Sequence, residues 1–158
     1  MIAVSKPSSY SDWIRAFENI KSYPLSQDSY YELELGRLDT YSSMSHPFNS
    51  MLTDTINVVL NRCIDSFSRE LDMCLSFNEI DNIELVFSHL KTNVRRVFFF
   101  ERLGFLPDSV KNELSEKIKE QMSAFWNTVV NHLTKEAMNN QIGALEDTLF
   151  LIKRIKLF

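Results

Sequence analysis

A chain of 158 residues, 44% hydrophobic and 24% charged, has the balance of one globular domain. At this length it can bury roughly 70% of its extended surface without a metal or disulfide. Three glycines and four prolines leave little turn-forming material for an all-β or α/β fold, so the composition favours helices. A net charge of −4 and a pI of about 5.4 disfavour nucleic acid as a partner across a broad surface. No run of 18 apolar residues is present to span a bilayer, and the opening MIAVSKPSSYSDW lacks the apolar core of a secretory signal, so a cytoplasmic location is expected.

Residues 8–23 open on capping residues and stop before Pro24, and Trp13, Ile14, Phe17 and Ile20 give an amphipathic helix. Residues 25–41 read as a second helix with Ser26 or Asp28 as its cap. Gly36 weakens it, and Leu33 and Leu35 alternate with Glu32 and Glu34 as in a strand, but no other strand is evident to pair with it. Residues 40–49, TYSSMSHPFN, are expected to be a loop because a proline disfavours helical geometry at the residue before it.

From Phe48 the apolar positions Leu52, Ile56, Val59, Cys63, Phe67, Leu71, Cys74 and Leu75 keep helical spacing to Phe77, predicting a helix about 42 Å long. Cys63 and Cys74 fall on it eleven residues apart, or about 16 Å, too far for a disulfide. Both are read as buried, reduced thiols. Asn78 is a candidate cap for the next helix, whose stripe is Ile80, Ile83, Phe87, Leu90, Val94 and Val97, with Glu84, Ser88, Lys91 and Arg95 on another face. At its end Phe98, Phe99 and Phe100 spread the apolar surface around the barrel. Gly104 is expected to stop the helix in a left-handed conformation, with Phe105 folding back on Phe100 and Pro107 opening the next helix.

Residues 107–138 carry Val110, Leu114, Ile118, Met122, Phe125, Val129, Leu133 and Ala137 on one face, widened by Trp126 and Val130. Asn139 and Asn140 suggest a break before a terminal helix along Ile142, Leu145, Leu149, Ile152 and Ile155. The expected architecture is all-α: an antiparallel helical bundle of three long helices plus a C-terminal helix, with a short N-terminal helical hairpin. Residues 1–158 are read as a single helical domain, in which 1–45, the hairpin and loop, pack on a bundle of 46–158.

Little in the sequence supports catalysis. The residues three before His46, His89 and His132 are Ser43, Val86 and Val129, so the Glu-x-x-His pairs of a bundle di-metal site are missing. His132 and Glu136 are spaced to share one metal but more often make a surface hydrogen bond. No phosphate-cradling glycine loop or nucleophile elbow occurs. No catalytic residue, metal ligand or cofactor is therefore expected.

The expected function is a non-enzymatic helical protein-protein interaction module, an adaptor, inhibitor or regulator that binds a protein partner or associates with itself. Its expected contact residues are Arg95, Arg96, Phe98 and Phe99 at the centre, and Phe150, Ile155 and Phe158 at the end. One alternative is a peripheral membrane or lipid-binding module, because the cationic, apolar residues 149–158 are too short to span a bilayer but suited to lie on one. The other is a metal-binding helical protein using His132, Glu136 and His89.

Overall fold

The computed structural model describes residues 3–77 and 79–140. They form five α-helices: α1 (Tyr10–Ser22), α2 (Gln27–Glu34), α3 (Tyr41–Ser76), α4 (Ile83–Val97) and α5 (Asp108–Asn140). Short 3-10 turns at Ile80–Asn82 and Phe98–Arg102 flank α4. Among the described residues there is no strand, and no helix is long and apolar enough to cross a membrane. The terminal helix expected along 142–155 lies outside the described residues.

The chain divides into two compact units, both discontinuous in sequence. The first holds the described residues of Met1–Cys63 with Val94–Ser115, and the second holds Ile64–Asn93 with the described residues of Glu116–Phe158. Each of the three long helices therefore contributes to both units.

In the first unit, α1 starts at a capping box: the Asp12 N–H donates to Ser9 Oγ at 3.2 Å, and the Ser9 N–H donates to Asp12 Oδ2 at 3.0 Å. Its buried face is Trp13, Ala16, Phe17 and Ile20, whereas Ile14, expected in the stripe, is 39% exposed. Ser26 caps α2 by accepting from the Ser29 N–H at 3.2 Å. The second helix is shorter than expected, ending at Glu34. Just beyond its end, a Cβ at Gly36 would meet Trp13 Cζ2 at 2.5 Å and the Leu33 carbonyl at 2.9 Å. The Trp13 ring lies against this backbone, and its Nε1 donates to the Arg37 carbonyl at 2.7 Å.

The loop expected over 40–49 is helix instead: α3 begins at Tyr41 and carries Pro47 inside it. Proline removes one backbone donor, which costs an interior helical bond. Packing outweighs that loss, because Tyr41, Phe48 and Leu52 share one helical face and all three are buried. Phe48 sits among Trp13, Phe17, Tyr41 and Phe105 with ring centroids 5.4–5.8 Å apart. Phe105 packs on Trp13, Tyr41 and Phe48, where it had been expected to fold on Phe100. The ending of α4 also differs from expectation. The helix tightens into the 3-10 turn, Leu103 leaves it in an extended conformation, and Gly104 lies outside the left-handed region, with nothing within 4 Å of a Cβ built there.

The second unit has a smaller aromatic centre. Phe67 packs edge-on to Phe87 and Phe125, and Phe87 packs edge-on to Trp126, with centroids 4.7–5.7 Å apart. Ile83, Leu90, Ile118, Met122 and Leu133 are buried in the same unit. Between α3 and α4 the Glu79 N–H donates to the Cys74 carbonyl at 2.8 Å, and the chain turns through Ile80–Asn82 into α4.

Candidate functional site

The last turn of α4 and the 3-10 turn after it hold four of the residues expected to meet a partner, and the structure sends them in different directions. Arg95 is exposed. Arg96 is half-buried and close enough to Tyr30 and Cys63 to act on both electrostatically. Phe98 is half-buried and stacks on Phe100, with centroids 5.9 Å apart and planes 29° apart. Phe99 is only 4% exposed, packs on Tyr30 at 5.9 Å, and lines a crevice with Ile20, Thr55, Ile56, Val59 and Val97 that has no room for a water molecule. Phe99 thus belongs to the interior. Phe150, Ile155 and Phe158 lie outside the described residues.

The surroundings of Tyr30 show what this region does. Arg62, on α3, donates through Nη2 to the Lys21 carbonyl in the last turn of α1. Burial pushes the Tyr30 hydroxyl up to about 12 and the Cys63 thiol up to about 11, and the nearby Arg62 and Arg96 guanidinium groups only partly oppose this. A thiol held protonated in this way is a poor nucleophile. Cys63 is half-buried and Cys74 buried, and both are free. Arg102, in the 3-10 turn, donates from Nη1 to both Glu34 oxygens at 2.9 and 3.1 Å and so joins that turn to α2. The region is a packed junction of α1, α2, α3 and the end of α4.

The histidines are dispersed. His89 Nδ1, exposed on α4, lies 3.4 Å from Oε2 of the half-buried Glu70 on α3, and His132 is exposed on α5. Among the described residues no three His, Cys, Asp or Glu side chains gather as a metal site would require.

A different surface stands out in the second unit. Of the twelve phenylalanines, all but Phe150 and Phe158 are described, and of those ten Phe77 alone is exposed, at 69%. Met73, one helical turn earlier on the same face of α3, is 60% exposed, and Leu85 in the first turn of α4 is 55% exposed. Met138 at the end of α5 is 72% exposed. Sequence reasoning had placed Phe77 at the close of an apolar stripe and passed over Met73 and Leu85. The signal was present, since Met73 lies beside the stripe through Leu71, Cys74 and Leu75, and Leu85 beside Ile83 and Phe87. Comparison with known proteins adds no relative, because no family model, curated protein or solved structure matches this chain.

Proposed function

We propose that this chain works without catalysis, by binding another protein or a second copy of itself as an adaptor, inhibitor or regulator. The observation that carries the reading is the exposure of Met73 and Phe77, one helical turn apart at the end of α3, and of Leu85 in the first turn of α4. Among the described residues six of the other nine phenylalanines are buried and three half-buried, so an exposed Phe77 beside an exposed Met73 is apolar area that a partner could cover. The reading keeps the three long helices antiparallel, as the six residues between α3 and α4 and the ten between α4 and α5 favour. It moves the contact surface from Phe99 to the corner between α3 and α4.

The test compares the full chain with its Met73→Ser, Phe77→Ser variant by sedimentation velocity and affinity capture. The expected result is a larger species, or one captured protein, that the variant loses while keeping its helical circular dichroism. A chain that is monomeric and empty in both forms contradicts the reading. Flotation of the intact chain with anionic liposomes, without any protein complex, would favour the membrane alternative.

A further inference from the structure

We draw no further inference here: the strongest candidate, the exposed apolar side chains Met73, Phe77 and Leu85 at the corner between α3 and α4, belongs to the surface already described, and nothing in the structure shows what covers it.

Discussion

The two units are built from the same three long helices but put their apolar side chains to different use. Of the twelve largest fully buried side chains among the described residues, nine, including Trp13, Phe48 and Phe100, lie in the first unit. Only Phe87, Ile83 and Leu90 lie in the second. The first unit is also tied across elements by polar contacts from Trp13 to Arg37, Arg62 to Lys21 and Arg102 to Glu34. The second exposes Met73, Phe77, Leu85 and Met138, each above 50%. The first unit therefore holds the larger enclosed core, although it too leaves Ile14, Tyr23, Tyr31, Leu35, Met44 and Val58 exposed.

Replacing the hub of each unit is the most severe way to break that comparison. Trp13→Ala removes the anchor of three ring-packed neighbours and a part-buried hydrogen bond, and should cost roughly 3–5 kcal/mol in urea unfolding followed by circular dichroism. Trp126 is half-buried, so Trp126→Ala should cost less, about 1–3 kcal/mol. Equal losses would erase the distinction between the units.

Alkaline titration comes next. Tyr30 and Cys63 both have folded-state values above their ordinary ones, so the unfolded chain releases their protons first and stability falls as pH rises. Their contribution is whole below pH 9 and disappears between pH 9 and about 12, with roughly 2–3 kcal/mol from Tyr30 alone. Tyr30→Phe should flatten this decline in urea midpoints measured across that range. A decline of the same size in the variant would mean that other groups cause it.

Gly36→Ala should cost about 1–3 kcal/mol, because the new methyl meets the Trp13 ring and the Leu33 carbonyl. Gly104→Ala has open space and serves as the control, with little change in the thermal midpoint. The smallest effect is expected on the second unit's surface, where Phe77→Ser should change the stability of the isolated chain by no more than about 0.5 kcal/mol. A loss of several kcal/mol there would show that Phe77 is core.

Much of the fold was legible from periodicity. The spacing of Trp13, Phe17 and Ile20 marked α1, and the stripe from Ile83 to Val97 marked the buried face of α4, because one side of a helix recurs every three or four residues whatever it packs against. Local rules failed where distant contacts decided. Pro47 and its serines read as a loop, and only the aromatic cluster around Phe48 makes helix the better choice there. Gly104 resembled a helix stop, but the turn needs no left-handed residue. The candidate site was the least legible part. A run of three phenylalanines drew attention to 98–100, yet α2 and α3 enclose Phe99, and no local pattern reveals which apolar side chains will find a cover.

The sequence alone determined the helical character of the chain, the faces its long helices turn inward and the cationic, apolar composition of residues 149–158, since each follows from residue type and spacing along one segment. Tertiary structure alone decided that Pro47 lies within a helix, that Gly36 makes room for Trp13, and that Phe99 is enclosed while Phe77 meets water. Those outcomes depend on which side chains from remote parts of the chain compete for the same space, and spacing along a single segment carries no record of that competition.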